Sequence, residues 1–159
     1  MIEVKNISKS YGEKNQKILA VDNISFSVED GEIFGLIGPD GSGKTSIFRM
    51  LTTVLLPDSG NAEIDRFDVI KDYKKIRQIL GYMPGKFSLY QDLTVEENLE
   101  FFASVFNTTI AENYDLIKDI YQQIEPFKDR KAGKLSGGMK QKLALSCALI
   151  HKPKVLFLD

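Results

Sequence analysis

Eight consecutive residues carry the clearest chemistry in the chain: Gly38-Pro39-Asp40-Gly41-Ser42-Gly43-Lys44-Thr45. They match the pattern G-x-x-x-x-G-K-S/T at every required position. Each residue type has a physical reason to be there. Glycine lets a backbone take positive φ and come close to an anion without a Cβ in the way. Successive amides then point inward as an anion-binding nest, and a helix opening directly after the loop adds its N-terminal amides. The Lys44 ammonium would reach the outer phosphates of a nucleotide, the Thr45 hydroxyl would bind Mg²⁺, and Ser46 would extend the polar lining. The chemistry is that of a nucleoside triphosphate with its metal. The loop alone does not choose among transport ATPases, GTPases and small-molecule kinases.

Leu135-Ser136-Gly137-Gly138-Met139-Lys140-Gln141 is a second candidate phosphate site. Ser136 has the chemistry of an N-cap, and Gly137 and Gly138 leave the first amides of a helix bare. If the two sites lie far apart on one chain, one nucleotide does not touch both. A head-to-tail pair of chains, each lending its serine-glycine site to the other's loop, resolves this. A third candidate is Asp159, a carboxylate directly after the apolar run Val155-Leu156-Phe157-Leu158.

Together these segments resemble the ATP-binding subunits of ABC transporters. Leu135 to Gln141 is similar to that family's signature L-S-G-G-x-x-Q in full, and Val155 to Asp159 resembles its Walker B strand, which implies that Asp159 would hold the Mg²⁺ water shell from the end of a strand beside the loop's own strand. Tyr11, in Ser8-Lys9-Ser10-Tyr11-Gly12, resembles the family's adenine-stacking aromatic. Gly81-Tyr82-Met83-Pro84 and Leu89 to Leu99 resemble the subunits of multidrug and antibiotic exporters more closely than those of nutrient importers. The resemblance covers essentially the whole chain. It implies ATP and Mg²⁺ as ligands and a homodimer or a second ATP-binding subunit as partner. It also implies a transmembrane permease that selects the exported substrate, and a cytoplasmic location on the inner face of the membrane through that permease.

Two departures stand out. Where the family has a glutamine after Met-Pro, this chain has Gly85, which has no side chain to offer a metal or a coupling contact. The family's general base is a glutamate directly after the Walker B aspartate, and a switch histidine follows later; neither lies within residues 1–159. Lys44 and Asp159 therefore contribute to a catalytic set that is incomplete here, and the expectation is weak ATP binding with little or no hydrolysis. His151 precedes Walker B and reads as a helix cap or surface group. The alternatives are a soluble ABC-type ATPase acting on ribosomes or DNA, an unrelated P-loop enzyme, and a non-hydrolysing fragment. The chain has no long basic arm, which argues against the first, and no N-K-x-D base-reading motif, which argues against a GTPase.

Composition agrees with an α/β domain. The hydrophobic fraction is 43%, the charged fraction 27% and the formal net charge −1, so broad phosphate attraction to nucleic acid is not expected. The single cysteine, Cys147, excludes an internal disulfide and reads as a buried apolar side chain among Leu143, Ala144, Ala148 and Ile150. No apolar stretch is long enough to span a bilayer, and the N-terminus does not have the pattern of a secretory signal.

The elements expected to position these groups follow from periodicity. Ile2 to Ser8 and Ala20 to Val28 alternate as a pair of antiparallel strands, and Ile33 to Ile37 reads as a strand buried on both faces. Helices are expected from Lys44 to about Leu55, over Asp68 to Gln78, after a Thr94–Glu97 capping box, over Asn113 to Ile124, and from Ser136 to about Ile150. Ile79 to Met83 and Val155 to Asp159 read as buried strands. The fold expected is a P-loop NTPase α/β core with an N-terminal antiparallel β subdomain, C-terminally incomplete. In it, residues 1–85 and 135–159 form the core and β subdomain, and residues 86–134 form an inserted helical subdomain.

Overall fold

The computed structural model describes residues 1–13 and 16–159. The chain forms two compact units: Met1–Arg77 together with Asp159, and Gln78–Leu158.

The first unit is built on an antiparallel sheet of β1 (Ile2–Tyr11), β2 (Ile18–Val28), β3 (Ser59–Ile64) and β4 (Phe67–Asp68), in the order β2-β1-β3-β4. Register follows the apolar pattern. Ile2 pairs with Val28 on one side and Ile64 on the other, and Val4 pairs with Phe26 and Ala62. Ile2, Val4, Val28, Ala62 and Ile64 are all buried; a slip of one residue would turn every one of them to the opposite face. Gly60, at φ 82°, lies so close to Asn6 that an added Cβ would stand 2.2 Å from the Asn6 carbonyl oxygen. Helix α1 (Lys44–Leu51) buries Ile47, Met50 and Leu51.

The chain enters the second unit through α2 (Tyr73–Ile79). That unit has a parallel pair, β5 (Leu80–Met83) and β6 (Val155–Leu158). Parallel strands need a long crossover, and here it carries α3 (Val95–Val105), α4 (Ile110–Tyr121) and α5 (Gly137–Leu149). The core of these helices is formed by Val95, Leu99, Ile117, Ile124, Leu143, Cys147 and Ile150. Cys147 is buried as expected, and burial pushes its thiol well above the ordinary range, which keeps it protonated. Thr94 caps α3 through the expected reciprocal box with Glu97. Asn98, fully buried, ties down the preceding segment. Its Oδ1 accepts the Tyr90 N–H at 3.0 Å, and its Nδ2 donates to the carbonyls of Tyr90 and Thr94 at 2.9 and 2.8 Å.

Four expectations are corrected. Ile33 to Ile37 is not a strand, and Ile33 and Ile37 are 100% and 99% exposed. An apolar run becomes a strand only where another strand accepts its backbone groups, and none of the described strands pairs with it; Phe34 instead stacks on Phe26 at 5.1 Å. For the same reason Asp159 does not end a strand lying beside a loop strand. In β6 only Phe157 is buried, while Leu156 and Leu158 are exposed, because β5 is its sole ladder partner among the described residues. Helix α4 starts at Ile110 rather than Asn113, since Thr109 and Glu112 form a second capping box, and Asn113 sits at a kink inside the helix. His151 is neither a cap nor a surface group. It is half-buried, stacked on Phe106 with centroids 3.7 Å apart, and its Nε2–H donates to the Leu80 carbonyl at 3.0 Å.

Candidate nucleotide-binding site

The loop of residues 38–45 folds around the ammonium of its own lysine. Lys44 Nζ donates to the carbonyls of Gly38 and Pro39, both at 2.7 Å, with Ser42 Oγ at 3.5 Å. Gly41 and Gly43 sit at φ 79° and 91°. A Cβ at Gly43 would stand 2.2 Å from the Ala20 carbonyl oxygen, so the loop packs against β2 only because residue 43 has no side chain. Gly43 is also the N-cap of α1, and no side chain caps that helix. Its first amides therefore keep their capacity for an anion, and the helix dipole favours negative charge at the same place.

Thr45 and Asp159 meet at the start of this helix. The Thr45 hydroxyl donates to Asp159 Oδ1 at 2.9 Å. A hydroxyl and a carboxylate are both hard oxygen donors, the kind Mg²⁺ accepts while it keeps water and phosphate oxygens for its other positions. Among the described residues no group of three or more His, Cys, Asp or Glu side chains could hold a metal by itself. The donor set thus fits a cation that arrives with a phosphate. One residue further on, Ser46 Oγ shares a 2.9 Å hydrogen bond with the Tyr11 hydroxyl at the end of β1.

The structure gathers Tyr11, residues 38–46 and Asp159 in the first unit. Ser136, Gly137 and Gly138 belong to the second. There Ser136 is the N-cap of α5, accepting the Met139 N–H at 3.4 Å. Gly137 and Gly138 are exposed, and a Cβ on either would meet nothing within 4 Å. The start of α5 is thus open to solvent, with Ser136 as its cap. Gly85 is exposed as well.

Sequence reading passes over one residue beside this site. Asp58 accepts the Ser10 N–H at 2.8 Å and the Lys9 ammonium at 2.6 Å, next to Tyr11. Its signal was present: an aspartate after proline in a turn readily accepts a backbone N–H.

A glycine loop wrapped on its lysine, an uncapped helix behind it and a hydroxyl-carboxylate pair beside it define a P-loop NTPase fold of mixed α/β type. The chain belongs to the ABC transporter family, whose model matches residues 21–159. It is 47% identical over 142 residues to the probable multidrug ABC transporter ATP-binding protein YbhF of Escherichia coli, spanning 88% of this chain and 25% of that protein. It is 32% identical over 162 residues to the ABC transporter ATP-binding protein NatA of Bacillus subtilis, spanning 100% of this chain and 66% of that protein. The chain thus spans between a quarter and two thirds of the length of these relatives. Among solved structures it is similar to the dimeric bacterial ABC transporter cassette MJ0796, with a TM-score of 0.86 and 27% identity, covering 98% of this chain and 72% of that one. The same cassette in a post-hydrolysis state bound to ADP and Pi matches with a TM-score of 0.85 and 26% identity, with the same coverage. Among the described residues no helix is long and apolar enough to cross a membrane.

Proposed function

We propose that this chain forms the nucleotide site of an ABC transporter ATP-binding subunit that drives export through a membrane permease. The observation that carries the reading is the Lys44 ammonium held on the Gly38 and Pro39 carbonyls, in the same unit as the Thr45–Asp159 pair. In this reading the amides of residues 40–45 and the first turn of α1 cradle the phosphates, and Lys44 turns from its loop carbonyls to the β- and γ-oxygens. Tyr11 stacks on the purine. Thr45 and Asp159 hold Mg²⁺, which when bound neutralises charge on the phosphate oxygens. Catalysis of phosphoryl transfer is mainly positioning and charge stabilisation, and these are the groups that would position.

The exposed start of α5 would meet the γ-phosphate of an ATP held by a second chain, through the Ser136 hydroxyl and the Gly137 and Gly138 amides. Dimeric cassettes among the solved structures support that pairing. The names of relatives, among them a probable multidrug ABC transporter subunit and a Nod factor export subunit, support the export reading.

Complementation tests the composite site. Lys44→Ala spoils the loop of a chain but leaves its Ser136 site, and Gly138→Asp does the reverse. ATP-induced dimerisation, followed by analytical ultracentrifugation, should be lost in each variant alone and return when the two are mixed, because the mixed dimer holds one intact site. No recovery on mixing, with wild type dimerising, would contradict the head-to-tail reading.

A further inference from the structure

Tyr11 is the last residue of β1, where strands commonly fray, yet it is fastened at both ends. On the backbone side, Asp58 Oδ2 accepts the N–H of the preceding residue, Ser10, at 2.8 Å, and Oδ1 takes the Lys9 ammonium at 2.6 Å. The Asp58 N–H in turn donates to the Ser8 carbonyl at 2.9 Å. The turn at Asp58 is therefore clipped to β1 over three consecutive residues. The hydrogen bonds from the Lys9 ammonium and the Ser10 amide hold the Asp58 carboxyl below its usual range, so it remains an acceptor through neutral pH. At the other end, the Tyr11 phenol shares its 2.9 Å hydrogen bond with Ser46 on α1. The neighbouring strand is held to the same loop where Ala20 meets Gly43. The ring of Tyr11 is thus set relative to the phosphate loop, with part of its face open to solvent.

We propose that Asp58 is a positioning residue for the nucleotide base: it clips the Lys9–Ser10 backbone so that Tyr11, locked at its far end by Ser46, stands as a preset stacking platform for a purine. The proposal rests on the reading of Tyr11 as the base-stacking ring. Its physical basis is preorganisation. A ring ordered before binding spares the ligand the entropy of ordering it, and stacking rewards a correctly oriented flat face. Asp58 bonds to β1 and not to the phosphate loop, so its effect should appear only with ligands that carry a base.

The test compares two ligands by calorimetry on the whole chain: Mg-ATP and Mg-bound inorganic triphosphate. Asp58→Ala should weaken ATP about 3- to 10-fold, the range of one or two lost hydrogen bonds, and leave triphosphate within about twofold. Asp58→Asn, whose amide oxygen still accepts the Ser10 N–H, should recover most of the ATP affinity. Tyr11→Ala serves as the control for the base reading and should weaken ATP alone. If Asp58→Ala binds ATP like wild type while Tyr11→Ala does not, the positioning role is overturned and the base reading stands. If Asp58→Ala loses ATP and triphosphate equally, its role is general folding and the proposal is overturned. If Tyr11→Ala binds ATP like wild type, the base reading and the proposal fall together.

Discussion

Thr45 and Asp159 are 114 positions apart in the chain, and the Thr45 hydroxyl donates to the Asp159 carboxylate at 2.9 Å. That contact joins a residue of the phosphate loop to one that follows β6. It leaves two hard oxygens at the start of a helix whose amides carry no capping side chain.

A metal role for this pair has a specific consequence. Asp159→Ala should weaken ATP binding in the presence of Mg²⁺ about 10- to 100-fold, as expected for a charged ligand group, and change it little when the metal is chelated. Titrations with and without a chelator check this. An equal loss under both conditions would mean that Asp159 acts by holding Thr45, not a cation.

Gly85 is exposed, and the pattern this chain otherwise resembles has a glutamine there. The resemblance implies that a glutamine at this position contributes to Mg²⁺ binding, and on that reading its side-chain oxygen is what this chain lacks. Gly85→Gln is expected to raise Mg²⁺-dependent ATP affinity about 2- to 5-fold, with no change under chelation. Unchanged affinity with Mg²⁺ present would show that this position does not reach the metal.

His151 predicts a pH effect on stability. Burial lowers its imidazole below the ordinary value of 6.5, opposed by the hydrogen bond to Leu80. Its Nδ1 is buried without a partner among the described residues, so a proton there would be unsatisfied. With the folded value below the unfolded one, the contribution is fully present above pH 6.5 and is lost as pH falls from there through the folded value. His151→Phe retains stacking on Phe106 but does not titrate. Its urea midpoint should fall less than that of wild type between about pH 7.5 and 5.5. Parallel declines would contradict the assignment.

Asn98 holds the Tyr90 to Thr94 segment by side-chain bonds to the Tyr90 N–H and to the carbonyls of Tyr90, Leu93 and Thr94, with no exposure of its own. Asn98→Ala removes these bonds from a fully buried position, while the Thr94 carbonyl keeps the backbone N–H of residue 98 at 3.1 Å, so a loss of about 1–3 kcal/mol is expected in denaturant unfolding. A loss below about 1 kcal/mol would mean that water replaces the amide.

What the sequence made legible was local. The loop of residues 38–45, the N-caps Thr94 and Ser136 and the starts of α1, α3 and α5 depend on residues within one turn of each other. Their spacing alone carries the geometry. What it hid was pairing. Ser59–Ile64 opens within a turn sequence, and it becomes β3 because Ala62 and Ile64 align with Val4 and Ile2. Ile33 to Ile37 has the composition of a central strand, but composition does not reveal whether a neighbour accepts its backbone. Asp58 looks like turn chemistry until β1 is placed beside it. The Thr109–Glu112 box had the same T-x-x-E signal as Thr94–Glu97, and only the less regular run after it obscured the start of α4.

The most direct test of the central claim is Mg-ATP binding by calorimetry on this chain and on Lys44→Ala, with circular dichroism to confirm equal folding. The account predicts binding by the wild-type chain and a loss of about 100-fold or more in the variant, because a charge-assisted contact to the outer phosphates is removed. Equal affinity in both proteins would contradict it, as would the absence of binding by the folded wild-type chain.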